Sequence, residues 1–283
     1  MGLYKKIANH FLKRVSDEEL SELISKFGTT KSLLPETLLR EIDVHWQKFQ
    51  VSHHWFWDQY DESGWEPNTY STLKKYLNEE TKFVDIGAWV GLTSMWANTL
   101  GVKQVYAIEA NPKSYELLLR TINNNTNLLS TVELTNVCIT DKDEEFVRFG
   151  RDLSSASRLD ITGEYQVKTS RLMTYIDQRA LKENLFIKVD IEGAELLILQ
   201  DLHEILCGRN KAFMALHPTF WSDKQSGHDL ILDFLKDFSV YNDEGVILDL
   251  DELSAMILTK DEYPSWGTPY GNFFEILIES KDH

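Results

Sequence analysis

From residue 82 onward, short apolar runs alternate with stretches whose hydrophobic positions recur every three or four residues. Phe83-Val84-Asp85-Ile86 is apolar and β-branched, the pattern of a buried strand. Leu92, Met95, Trp96 and Thr99 follow at i, i+3, i+4 and i+7, one face of a helix, and Gly101 stands where a C′ glycine would end it. Gln104–Ile108 is a second buried run. Pro112 behind Asn111 predicts a helix start, with Tyr115, Leu118, Leu119 and Ile122 on its buried face. Residues 131–139 read as a third strand, and the polar stretch 141–182 holds a hairpin around Phe146-Val147-Arg148-Phe149. Residues 185–190 form a fourth strand, followed by a helix over 193–202. Residues 213–216 form a fifth, with Leu230, Ile231, Phe234 and Leu235 on the helix after it. Val246-Ile247-Leu248 and residues 273–278 close the sheet. Such alternation predicts an α/β, Rossmann-like fold with a mainly parallel seven-stranded sheet flanked by helices.

The pattern before residue 76 is different. Pro35-Glu36 opens a predicted helix carrying Leu38, Leu39, Ile42 and Trp46, and residues 1 to about 50 read as helical. An aromatic-rich loop follows, His53-His54-Trp55-Phe56-Trp57 with Tyr60 and Trp65, before a helix over 70–77. The expected organisation is therefore an N-terminal appendage over 1–75 and a main domain over 76–283. Residues 1–14 are amphipathic, with Leu3, Ile7 and Phe11 on one face and Lys5, Lys6, Lys13 and Arg14 basic. So short a helix suits docking on its own domain better than holding a membrane.

The first candidate site lies where the first predicted strand meets its helix. A strand, a glycine turn, a helix and a second strand ending in Glu109 make a nucleoside-binding unit in which the acid accepts both ribose hydroxyls. The turn reads Asp85-x-Gly87-Ala88-x-x-Gly91, without the third glycine of a pyrophosphate site. A carboxylate before the first glycine repels a pyrophosphate and attracts the ammonium of an amino acid. S-adenosylmethionine (SAM) carries an amino-acid tail in that place. Asp85, Gly87, Ala88, Gly91, Glu109, Ala110 and Cys138 are the expected cofactor contacts, joined by Asp190.

Bulk properties narrow the partners. A chain of 283 residues with 42% hydrophobic and 12% aromatic residues supports a sizeable core. Its net charge of −16 argues against a nucleic-acid partner, because phosphate binding needs a cationic face. No apolar run approaches a membrane span, and no signal peptide is evident. Two cysteines, Cys138 and Cys207, are too few for a disulfide framework or a zinc cluster and suit the cytoplasm.

A second constellation, Lys188-Val189-Asp190-Ile191-Glu192-Gly193-Ala194-Glu195, sets three carboxylates beyond a predicted strand, the edge at which α/β sheets bind ligands. Helix capping accounts for Glu192 and Glu195 but less well for Asp190. Asp190 and Glu192 are also the candidate ligands for a divalent cation. His217, ending the fifth strand, is a candidate general base in its neutral form. Asp190, His217 and Glu192 are thus the catalytic candidates. Tyr70-x-x-x-Lys74 has the spacing of a short-chain dehydrogenase pair but precedes the nucleotide turn, which disfavours a reductase. A SAM- or glycan-binding scaffold without catalysis is the remaining alternative.

Val84-Asp85-Ile86-Gly87-Ala88, Glu109-Ala110-Asn111-Pro112, the 187–195 run Ile-Lys-Val-Asp-Ile-Glu-Gly-Ala-Glu and His217-Pro218 together resemble the FkbM-type SAM-dependent methyltransferases, over roughly residues 80–220. The resemblance implies a class I methyltransferase fold and O-methylation, often of sugar hydroxyls on glycans or natural products. It also implies SAM at Asp85, Gly87, Gly91 and Glu109, with Asp190 and Glu192 near the reacting centre. The chain departs from that pattern at Trp89, where Asn is usual, at Ala110, where Pro is usual, and at Ala215, where an acid is usual. Ala215 weakens a metal-assisted reading, and a protein, lipid or amine acceptor stays open.

Overall fold

The computed structural model describes residues 39–63, 65–149, 163, 165–258 and 273–281. Its centre is an eight-stranded sheet in the order β12-β11-β13-β10-β9-β3-β4-β5. Five strands run parallel, β3 (Lys82–Ile86), β4 (Gln104–Ile108), β9 (Leu185–Val189), β10 (Lys211–Leu216) and, at one edge, β5 (Val132–Thr135). β13 (Phe274–Ser280) runs antiparallel between β10 and β11 (Phe238–Asn242). The two-residue edge strand β12 (Ile247–Leu248) makes the sheet eight-stranded rather than seven. The chain leaves β3 in one direction along the sheet toward β4 and β5, and returns to β3's other side as β9. The β3/β9 border is therefore the topological switch point, where α/β sheets open a crevice for ligands.

The main-domain expectations hold in outline. Helix α3 (Leu92–Thr99) buries Leu92, Met95 and Trp96, and Gly101 follows its C-cap at φ 87°. Helix α4 (Pro112–Asn123) starts at an Asn111 cap whose side chain accepts the Lys113 N–H at 2.9 Å. Its buried face is Ser114, Leu117, Leu118, Thr121 and Ile122, rotated by one residue from the expected one. The single strand expected over 131–139 is broken at Asn136. That side chain donates to the Glu109 and Ala110 carbonyls, and the chain turns into β6 (Cys138–Thr140) of a separate three-stranded sheet. There β8 (Tyr165–Arg171) pairs with both β6 and β7 (Phe146–Phe149). The helix expected over 193–202 is a 3-10 turn, Glu195–Ile198, followed by an α-helix, Leu199–Leu206.

The N-terminal expectation needs the larger correction. Residues 1–38, including the amphipathic segment and Pro35, lie outside the described residues. Where a helix over Leu39, Ile42 and Trp46 is expected, the structure has a β-hairpin, β1 (Leu39–Val44) and β2 (Gln47–Ser52). Ile42, Val44, Phe49 and Val51 point inward at two-residue spacing, and Trp46 at the tip is 95% exposed. The aromatic loop is helix α1 (Trp55–Ser63), and α2 (Pro67–Tyr76) leads into β3. These elements share one hydrophobic cluster with Phe83, Met95, Trp96, Leu118, Phe186 and Phe213. Gln50 and Asn125 exchange hydrogen bonds of 2.8 Å, tying the hairpin to the end of α4.

Candidate active site

A cleft open to solvent lies over the C-terminal ends of β4, β3 and β9. One end is apolar, built from Ala110, Val137, Cys138, Ile139 and Phe149. Glu109 follows, then Gly87, Ala88 and Trp89, and at the far side Lys188, Asp190 and Glu192 with Phe56, Trp65 and Glu66.

The β3–α3 turn is shaped by its own packing. A Cβ on Gly87 (φ 85°) would meet the Asp190 carbonyl oxygen at 1.8 Å, and one on Gly91 (φ 97°) would meet Leu118 at 2.5 Å. Gly87 therefore lets the ends of β3 and β9 come together at the switch point, while Gly91 seats α3 on α4 and does not line the cleft. Asp85 is fully buried behind the wall, where its carboxylate accepts the hydroxyls of Thr93 (2.5 Å) and Ser94 (2.9 Å). It braces the helix start from there, set back from the ligand side. Glu109 does face the cleft. Its oxygens accept the backbone N–H groups of Trp89 and Asn111, each at 2.7 Å, and burial pushes its carboxyl up to about 7. Cys138 lines the apolar end with its thiol pushed up to about 12 by burial, the inert behaviour of a packed sulfur.

At the β9 edge, Asp190, Glu192 and His217 each bring one ligand atom to within 4.8 Å of the others. His217 Nε2 stands 3.6 Å from Glu192 and 3.8 Å from Asp190, and its Nδ1 lies 2.8 Å from Glu195. The ring is sandwiched between Phe220 and Phe273. Burial alone would neutralise this imidazole, but Glu195, Glu192 and Asp190 hold its proton and raise it to about 9. The neutral base suggested by sequence is thus replaced by an imidazolium, and His217 stands behind the cleft wall rather than on it. Glu195, read as a helix cap, is fully buried and accepts from Trp221 Nε1 at 3.2 Å and from the Gly193 N–H at 2.9 Å besides facing His217. Glu192 takes a left-handed backbone (φ 52°) just before Gly193, which turns its carboxylate toward the cleft, and burial raises it to about 8. Burial also opposes ionisation of Asp190, but Lys188 and His217 more than offset it and keep the carboxyl below its ordinary value.

Sequence reasoning missed Lys188, Glu66, Phe56 and Glu275. Lys188 was in plain view inside a strand, but its burial there is a tertiary fact. Glu275 lies directly across β10–β13 from Ala215, so a carboxylate stands one strand over from that position. Glu66 and Glu275 are bridged by the Thr69 hydroxyl, at 3.3 and 2.8 Å. Trp57, by contrast, is 1% exposed and packs in the core.

Residues 85–240, more than half of the chain, match the FkbM methyltransferase domain, and the chain belongs to that family. It is a SAM-dependent methyltransferase. No curated protein matches it significantly. Among solved structures it is similar to SMU.1697c from Streptococcus mutans in complex with SAH, at 13% identity and TM-score 0.40 over 75% of this chain and 95% of that one. It is similar to precorrin-6y C5,15-methyltransferase from Geobacter metallireducens at 13% identity and TM-score 0.40, over 75% and 88% of the two chains. A TehB-like SAM-dependent methyltransferase from Corynebacterium glutamicum aligns at 9% identity and TM-score 0.40, over 80% and 95%.

Proposed function

We propose that the chain is an O-methyltransferase acting on a hydroxyl of a sugar, glycan or glycosylated natural product. The observation that carries the reading is the pair of carboxylates, Asp190 and Glu192, on the cleft wall at the sheet edge that also presents Gly87 and Glu109. The cleft suits the cofactor in polarity, with an apolar end beside a buried carboxylate that already turns two backbone N–H groups to itself. SAM, when bound, supplies an electrophilic methyl group on a sulfonium.

The protein's part is placement and proton removal. Glu109 takes the ribose hydroxyls, and the apolar wall from Ala110 to Phe149 takes the base. An acceptor hydroxyl held beside Asp190 and Glu192 is lined up for in-line attack, and positioning of this kind supplies much of the rate. The hydroxyl proton would pass to the carboxylate pair, in which Glu192, raised to about 8, is the more basic member once ionised. Proton removal in the transition state contributes about 10²–10⁴-fold. His217, clamped by Glu195, fixes the pair in place. Sugar specificity rests on the family resemblance, and cytoplasmic residence on the two free thiols.

A second reading places a divalent cation on Asp190, Glu192 and His217. Two oxygens and an imidazole whose other nitrogen faces a buried carboxylate match the way metal-bound histidines are oriented. A cation there would acidify the acceptor hydroxyl as a Lewis acid. Turnover assays with a glycan panel, before and after chelation, separate the two readings. Release of SAH that depends on a sugar hydroxyl supports O-methylation, and turnover only with amine or protein acceptors removes it. With an acceptor in hand, Glu192→Gln and His217→Asn should each lower kcat by about a hundredfold or more while SAM affinity stays within about twofold. Near wild-type turnover in both variants would remove this site.

A further inference from the structure

One buried cation in the cleft is under-used by the protein itself. The Lys188 side chain is 4% exposed and lines the cleft, yet its ammonium has a single hydrogen-bond acceptor among the described residues, Asp190 Oδ2 at 3.1 Å. An ammonium carries three donors, and leaving two of them without acceptors in a buried place is costly. Carboxylates crowd the same corner. Asp190, Asp85 and Glu66 all act on Lys188 electrostatically, and Glu66 also lines the cleft. Glu66 comes from the segment before the family domain, which begins at Asp85. It is held at φ 37°, a strained backbone for a residue with a side chain, just ahead of Pro67. The Thr69 hydroxyl anchors its Oε2 at 3.3 Å.

The order of groups across the sheet says what such a corner could receive. Glu109 ends β4, Gly87 ends β3, and Lys188 and Asp190 end β9, so the three lie on adjacent strands. Strands are spaced about 4.8 Å apart, which puts the β9 end roughly 10 Å from the ribose carboxylate. That is the reach of an amino-acid tail carried on the 5′ side of a nucleoside. The tail ends in a carboxylate and an ammonium, one for each sign of charge present.

We propose that Lys188 and Glu66 form a cradle for the amino-acid tail of the methyl donor, Lys188 taking its α-carboxylate and Glu66 its α-ammonium. The inference rests on the SAM reading of the cleft and adds a contact from outside the family domain. Phe56, Trp65 and Trp89, with ring centroids 4.7 Å (Phe56–Trp89) and 5.0 Å (Phe56–Trp65) apart, close the cradle and shield both charges from water. This assigns part of the N-terminal segment to the cofactor.

Calorimetry with two nucleosides tests it on the full chain. S-adenosylhomocysteine carries the tail, and 5′-methylthioadenosine lacks it. Wild-type protein should bind the first more tightly. Glu66→Gln should weaken S-adenosylhomocysteine by about tenfold to a hundredfold and leave methylthioadenosine within about twofold. Retained methylthioadenosine binding also reports that the variant is folded. Lys188→Met should weaken S-adenosylhomocysteine far more than its decarboxylated analogue, which keeps the amine and lacks the carboxylate. Equal loss of both nucleosides in Glu66→Gln, or no loss of either, overturns the cradle while the cofactor reading stands. If wild-type protein binds no nucleoside at all, the cradle and the cofactor reading fall together.

Discussion

At the scale of single residues, Glu109 has two jobs that pull its titration in opposite senses. Burial favours the neutral carboxyl and sets it at about 7, whereas accepting ribose hydroxyls requires the ionised form. SAM should therefore bind more tightly as pH rises from 6 to 8 and level off above that, as calorimetry across the range would measure. Glu109→Ala should cost about 1.5–3 kcal/mol, roughly tenfold to a hundredfold in affinity, and should flatten much of the pH slope. The slope that remains belongs to Glu66, also raised to about 7 by burial and by Asp190. Unchanged SAM affinity in Glu109→Ala would refute the ribose assignment. Gly87 makes a simpler case, since the Asp190 carbonyl occupies the space of a Cβ. Gly87→Ala should destabilise the fold by about 2–4 kcal/mol, read as a lowered urea midpoint.

At the scale of elements, legibility follows how local the determinants are. The β3–α3–β4 unit was readable because its strand runs, helix face and capping glycine are contiguous in sequence. The β1–β2 hairpin was not. Leu39, Ile42 and Trp46 fit a helical spacing, and the turn that overrules it is His45-Trp46, both with positive φ (48° and 71°). Two-residue hairpin turns of that geometry favour Asn-Gly, so His-Trp sends no turn signal. An Asp43 carboxylate accepting the Trp46 N–H at 2.9 Å holds it instead. The site divides in the same way. Asp190, Glu192, Glu109 and His217 stand at strand ends and were legible from position alone. Glu195 as the partner of His217, and Glu66 in the cleft, depend on contacts between distant segments. Helix α1 gives a direct check on its own role. Trp57→Ala should cost about 3–5 kcal/mol as a cavity in the shared core, seen in thermal melts, with SAM affinity of the folded protein unchanged. A weakened SAM site without loss of stability would mean that Trp57 serves the ligand directly.

For the molecule as a whole, the parallel strands β4 and β9 bring Glu109, Lys188, Asp190 and Glu192 to one edge, and Phe56, Trp65 and Glu66 of the N-terminal segment close that edge from one side. The cleft holds Glu66, Glu109, Asp190 and Glu192 against Lys188, a negative surplus that suits a donor carrying a sulfonium. The chain's net charge of −16 has the same sign. The central claim is that one ligand spans this edge from β5's side to β9's. A crystal structure of the protein with S-adenosylhomocysteine tests it most directly. The account predicts the adenine among Val137, Cys138 and Phe149, the ribose hydroxyls on Glu109, and the sulfur beside Gly87 facing Asp190 and Glu192. Density for the ligand elsewhere, or an empty cleft at saturating concentration, would contradict it.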